Sequence, residues 1–241
     1  ALRSGVRDNG TLAPLNATLQ IGEGVLQPNE ETLPIPFDGA RAYFSYDAAL
    51  GLLQFDEMSV QSKWVTARGQ GTASLTGLRT GALEALVGQF TVTQLETNPA
   101  NFYPDPVTID GAEVDFRLQT APFVLDIGRL DVFDQGRTRH ADGSLVAGPD
   151  GWRLSLDAST DTIDTDRILA LWPEAVKPRT RDWLAQNLMA GDISNADFAL
   201  RIVPDEKPRS YLAFDYDRAR VKFLRTLPPV EGARGHASLT D

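Results

Sequence analysis

Strict alternation of apolar and polar residues constrains this chain more than any other feature. Val114, Phe116 and Leu118 alternate with Glu113, Asp115 and Arg117. Phe123, Leu125 and Ile127 alternate with Val124 and Asp126. Trp152, Leu154 and Leu156 alternate with Arg153, Ser155 and Asp157. Phe198, Leu200 and Ile202 alternate with Ala199 and Arg201, and Leu212, Phe214 and Tyr216 with Tyr211, Ala213 and Asp215. Successive strand residues point to opposite faces, so each run has one greasy and one wet face. That is an antiparallel signature; parallel strands covered on both faces read as continuous apolar runs.

Between the runs lie turn residues. Ala141-Asp142-Gly143-Ser144 and Pro149-Asp150-Gly151 predict hairpin turns around a short strand. Gly69-Gln70-Gly71 and Thr76-Gly77 punctuate earlier strands. Thr97 to Pro106, with Pro99, Pro104 and Pro106, predicts a loop, because proline cannot donate to a sheet ladder. One region differs. Asp164-Thr165-Asp166 predicts the cap of a short helix through Ile168, Leu169, Leu171 and Trp172, stopped by Pro173. A second helix is expected from Pro178 to Met189, with Trp183, Leu184 and Leu188 on one side and Gly191 past its end. Trp172 and Trp183 are expected to anchor these helices to the sheet.

The sequence also repeats itself. Pro36-Phe37-Asp38-Gly39-Ala40-Arg41 returns as Pro229-Val230-Glu231-Gly232-Ala233-Arg234, preceded by Leu33-Pro34 and Leu227-Pro228. Ala67 to Thr76 echoes Ala233 to Thr240. The expected organisation is a β module over 1–160, a helical junction over 161–192 and the start of a second β module over 193–241.

Composition removes several function classes. The formal net charge is −10, from 33 acidic and 23 basic residues, which argues against a nucleic-acid or anionic-lipid surface. There is no Cys, so disulfides, thiolate metal sites and Cys nucleophiles are excluded, and a periplasmic or secreted setting fits. No apolar run is long enough to span a bilayer as a helix. Both ends, ALRSGVR and GHASLTD, read as interior sequence, so a piece of a longer protein is expected.

Candidate chemistry is sparse. His140 and His236 are the only histidines, and both are read as surface residues. Protease, hydrolase, dinucleotide and P-loop spacings are missing. Asp157, Asp161, Asp164 and Asp166 form the best acidic cluster, but the EF-hand's spacing, central Gly and closing Glu are absent; a strand end, a turn and an N-cap account for it. Asp105, Asp110, Glu113 and Asp115 could be cast as a glycosidase pair, or as the solvated face of a strand. No cofactor and no metal are implied. Phe44, Tyr46, Phe55, Phe116, Phe123, Trp152, Phe198, Phe214 and Phe223 fall on apolar strand faces. Alternation fits both a filled sandwich core and an open sheet whose apolar face meets a long greasy ligand.

Leu171-Trp172-Pro173, then Pro178-Arg179-Thr180-Arg181-Asp182-Trp183-Leu184 and Asn187-Leu188-Met189-Ala190-Gly191-Asp192-Ile193, resembles a segment of the AsmA-like superfamily in its YhdP-like branch. Asn195 to Leu200, Leu212 to Tyr216, Val221 to Leu224 and Leu227 to Gly232 are similar to that family's following strands and its "LPP-x-x-G" pattern. The resemblance spans about residues 160–241. It implies a periplasmic part of a Gram-negative envelope protein whose parent is anchored in the inner membrane. It implies a twisted antiparallel β-groove, or incomplete barrel, that moves phospholipid between inner and outer membranes. The expected partners are phospholipid acyl chains, adjacent modules of the parent chain and membrane proteins at either end. With the alternation, the expected lining is Phe116, Leu118, Phe123, Leu125, Trp152, Leu154, Phe198, Leu200, Leu212 and Phe214, with Asp126 and Arg201 outward. A closed structural module without ligand and an envelope glycan hydrolase are the alternatives.

Overall fold

The computed structural model describes residues 2–3, 5, 14–77, 83–98, 103, 105–172, 174, 177–222 and 226–240. Pro99, Pro104, Pro173 and Phe223 lie outside the described residues. The fold is mainly β: one open antiparallel sheet that never closes into a barrel, plus two short helices. Its strands are β1 (Leu2–Arg3), β2 (Leu15–Ile21), β5 (Gly39–Asp47), β6 (Leu52–Gln61), β7 (Val65–Thr76), β8 (Ala85–Thr97), β10 (Gly111–Thr120), β11 (Phe123–Asp134), β12 (Arg137–Gly148), β13 (Gly151–Asp164), β14 (Leu188–Ile202), β15 (Arg209–Val221) and β16 (Val230–Thr240), side by side in that order. A short β9 (Val107–Ile109) extends the β8 edge, and β3 (Gly24–Leu26) with β4 (Ile35–Phe37) forms a separate hairpin. The helices α1 (Thr165–Leu171) and α2 (Pro178–Asn187) fall between β13 and β14, yet those two strands still pair, so the sheet continues past them.

Bulges bend the strands. The ladder slips at Tyr43/Phe44, Phe55/Met58, Arg68/Gly69, Asp115/Phe116, Ile127/Leu130 and Ser194/Asp197, mostly in mid-strand. Each extra residue kinks its strand and adds twist, which curls a broad sheet. The β3–β4 hairpin measures the result. It leaves the sheet between β2 and β5, and its tip hydrogen-bonds to Ala147, Gly148 and Trp152 of β12 and β13. In a flat sheet β5 and β12 would stand about 29 Å apart, and a seven-residue hairpin arm spans only about 23 Å. The sheet must therefore curve toward the hairpin.

Several turn expectations are corrected. Ala141 to Ser144 is no turn; it lies within β12, where Gly143 pairs with Leu156. An added Cβ at Gly143 would strike the Ser155 carbonyl and Leu156, so that glycine serves close strand approach. The actual turn is Gln135-Gly136, both at positive φ. Gly69 and Gly71 likewise sit inside β7, whereas Thr76-Gly77 and Pro149-Asp150 do end strands. Helix α2 stops at Asn187 instead of Met189, because Leu188 already pairs with Val221; Gly191 lies inside β14. Asp164 holds the N-cap position of α1 but makes no capping hydrogen bond, its carboxylate meeting Arg137 instead.

The repeat has a structural place. Gly39 opens β5 and Gly232 lies at the start of β16, at the same end of the sheet. A third copy, Ile109-Asp110-Gly111-Ala112, opens β10 at that end too. The three longest connections, 22–38, 98–110 and 165–187, all leave the sheet there.

Candidate functional site: an apolar trough

The ladder registers assign faces. Phe44 pairs with Phe55, Phe55 with Gly71, Gly71 with Phe90, Gly88 with Phe116 and Phe116 with Ile127. Leu118 pairs with Leu125, Leu125 with Leu145, Leu145 with Leu154, and Leu156 with Leu200. Phe198 pairs with Leu212 and Leu212 with Leu239. Cross-strand partners share a face. All ten sequence-expected lining residues therefore lie on one face, with Phe123, Trp152 and Phe214 joining by parity. Asp126 and Arg201 lie on the other.

Small residues shape this face. The Phe55 and Phe90 ring centroids are 5.3 Å apart although a whole strand, β7, runs between them. Two strand spacings amount to about 9.6 Å, so both rings lean over Gly71, where an added Cβ would stand 2.8 Å from Phe90. Phe44–Phe55 at 5.6 Å and Phe90–Phe116 at 5.5 Å extend a line of four tilted rings from β5 to β10. Phe116 lies over Gly88, 2.7 Å from where its Cβ would be. Phe123 and Trp152 repeat the device edge-on at 5.6 Å, across buried Ala147. Phe90 and Gly88 were not singled out from the sequence, and Gly71 only as a strand break; Leu86, Gly88, Phe90 and Val92, alternating with Val87, Gln89 and Thr91, carried the signal.

The face is not packed shut. Among the described residues the buried apolar side chains are Ala73, Ala85, Val107, Ala112, Ala147, Ile163, Ile193, Ala213, Ala219 and Val221. None is aromatic or Leu. Every Phe, Trp and Leu on the apolar face is half-buried or exposed, with Leu19 at 49% and Phe198 at 36%. A sandwich interior would bury these side chains fully. The chain exposes 15156 Å², against about 10,600 Å² for a compact monomer of its mass.

Two crossings bound the trough. The β3–β4 tip sits against Trp152, whose Nε1 donates to the Leu33 carbonyl at 2.7 Å, while Asn29 donates to the Ala147 and Gly148 carbonyls. Thr32, within this tip and hydrogen-bonded to Asn29, is 2% exposed. At the opposite end, α1 is clamped by charge. Asp134, 3% exposed, accepts from Arg167 on α1 and from Arg139 on β12, both at 2.7 Å. Arg167 also donates to the Thr108 carbonyl, and the Tyr103 hydroxyl donates to the Leu171 carbonyl. Burial raises the Tyr103 pKa. Arg181 on α2 caps the α1 carbonyls of Leu169 and Trp172. These polar ties hold the helices, neither of which buries a residue; Trp172 is half-buried and Trp183 is 42% exposed.

The other face is wet and charged. Arg129 gathers Glu113, Asp115 and Asp131, which offsets the like charges that pairing places opposite each other at Glu113 and Asp131. Of the carboxylates considered as a glycosidase pair, Glu113 and Asp115 meet Arg129, and Asp110 accepts from the Gln135 amide. His140 meets Asp131, and His236 meets Asp215; both imidazoles are exposed. The acidic cluster is dispersed. Asp157 pairs with Arg201, Asp164 with Arg137, and Asp166 lies in the first turn of α1. No group of three His, Asp or Glu placed to hold a metal occurs among the described residues. No described helix is long and apolar enough to cross a membrane. Comparison with known protein families, curated proteins and solved structures finds no match.

Proposed function

We propose that the trough shields lipid acyl chains and conducts them along the envelope, as a periplasmic segment of an AsmA-like protein carrying phospholipid between inner and outer membranes. One observation carries this reading: a continuous apolar face whose large side chains are all left half-open in an unclosed sheet. Such a face costs free energy in water, about 25 cal/mol per Å² of apolar area, unless something apolar covers it. An acyl chain does so at about 0.8 kcal/mol per buried CH₂. Walls of similar hydrophobicity along the trough hold a chain at no single point, so it can slide. A headgroup stays wet at the open seam. The reading asks for no nucleophile, base or cofactor. The resemblance of Leu171 to Ile193 to the AsmA-like segment supports it independently and carries the periplasmic placement and the inner-membrane anchor of a parent chain.

The test is native mass spectrometry of the purified chain, with organic extraction and lipid analysis. The reading predicts co-purified phospholipid at a defined stoichiometry. A lipid-free chain that also takes up no fluorescent fatty acyl probe would overturn it and leave a structural envelope module.

A further inference from the structure

Strands β12 to β15 carry a recess of about 490 Å³ near their turn end. Arg153, Arg201 and Arg209 line it together with Ser144, Ser155 and four aliphatic residues, and no carboxylate does. In a chain of net charge −10 that is an unusual concentration. The registers explain how it arises. Ser144 pairs with Ser155, Ser155 with Arg201 and Arg201 with Arg209, one row across four strands on the polar face. Arg201 and Arg209 stand directly opposite each other, a like-charge pairing that costs stability unless an anion answers it.

The chain's own anions answer it only in part. Asp157 takes Arg201 through both carboxylate oxygens. Asp150 takes one nitrogen of Arg153, at 2.6 Å. Glu206 stands 4.0 Å from Arg209, beyond hydrogen-bond distance. The Nε and Nη1 of Arg153 and the whole Arg209 guanidinium therefore keep unpaired donors among the described residues, beside two hydroxyls. Guanidinium forks and hydroxyl donors lining one open depression are the donor types that hold a tetrahedral oxyanion.

We propose that this recess binds a phosphate-bearing group, held by Arg153 and Arg209 with Ser144 and Ser155, while Arg201 supports the wall through Asp157. The source is a lipid headgroup or a soluble phosphate ester. The proposal does not depend on acyl chains occupying the trough.

Isothermal titration calorimetry of the whole chain with inorganic phosphate tests it. The expected result is saturable binding that weakens with added salt and falls by about tenfold or more in R153Q/R209Q. Both side chains are exposed, and circular dichroism checks the fold. Should that variant not fold, S144A/S155A gives the second reading, with a loss of several-fold expected. A further arm compares dihexanoyl phosphatidic acid with dihexanoylglycerol. Phosphatidic acid binding more tightly than phosphate, and weakened by the same variants, identifies a headgroup site. Equal affinity for phosphatidic acid and phosphate identifies a soluble ester. No saturable binding, or binding unchanged in both variants, overturns the proposal. Phosphate binding by a chain that carries no lipid and takes up no fluorescent acyl probe would refute the acyl reading and leave this one standing.

Discussion

Single residues decide how this sheet curls and what it hides. Asp134 is the clearest case, a nearly buried carboxylate shared by Arg139 and Arg167. Asp134→Ala leaves two largely buried cations unpaired, and breaking a buried pair this way costs about 3–5 kcal/mol; urea denaturation should show it. Glycines give a matched pair of probes. Gly88→Ala places a Cβ 2.7 Å from the Phe116 ring and should cost about 1–3 kcal/mol by overpacking. Gly128→Ala, with nothing within 4 Å, should change stability by about 0.5 kcal/mol or less. Exposed carboxylates set the acid limb. The Asn195 amide, then His236, hold Asp215 below the usual carboxylate range; Arg234 does so for Asp217, and Arg153 for Asp150. A native pKa below the unfolded value means the unfolded chain binds more protons in that window. The stabilisation is therefore complete above about pH 5 and lost as pH falls below about 4. The urea midpoint should drop there, and D215N/D217N should flatten the drop.

At the scale of elements, the β3–β4 hairpin is the part that ties distant strands together. Trp152→Phe keeps an aromatic ring against Phe123 and removes the hydrogen bond to Leu33; with Asn29→Ala it unlatches the tip. Each lost bond is worth about 1 kcal/mol. Hydrogen exchange should show amides of 24–37 losing protection while those of β6 and β7 keep theirs. Uniform loss across the sheet would mean that the hairpin is part of the global fold and no separate latch. Alternation made the strands legible, because a half-exposed sheet keeps its period even without a packed core. Turns were less so. Asp142-Gly143 has hairpin chemistry, yet β12 runs straight through it, since that glycine is needed to let β13 approach. The Gln135-Gly136 turn carries no Asn-Gly or Asp-Gly signal. The third repeat at Asp110-Gly111-Ala112 escaped notice because Glu113 replaces the arginine of the other two. The ion-pair clamp on α1 was invisible too: Asp134 and Arg167 are 33 residues apart, and only the fold joins them.

At the scale of the whole molecule, the ten lining residues read from alternation fall on one face, while the openness of that face was beyond reach of the sequence. Period two is identical for a filled sandwich and a trough; curvature, and whether a second layer arrives, decide between them. Here bulges and glycines bend one continuous sheet, and aromatic rings lean over small residues without sealing the surface. The proposed function stands on that surface being covered by hydrocarbon. Site-specific photo-crosslinking tests it most directly, with a photoreactive residue placed at Leu125 or Leu200 on the apolar face and at Asp126 or Gln89 on the polar face. With phospholipid supplied, adducts should form at Leu125 and Leu200 and stay at background at Asp126 and Gln89. Equal labelling of the two faces, or none at either, would contradict the account.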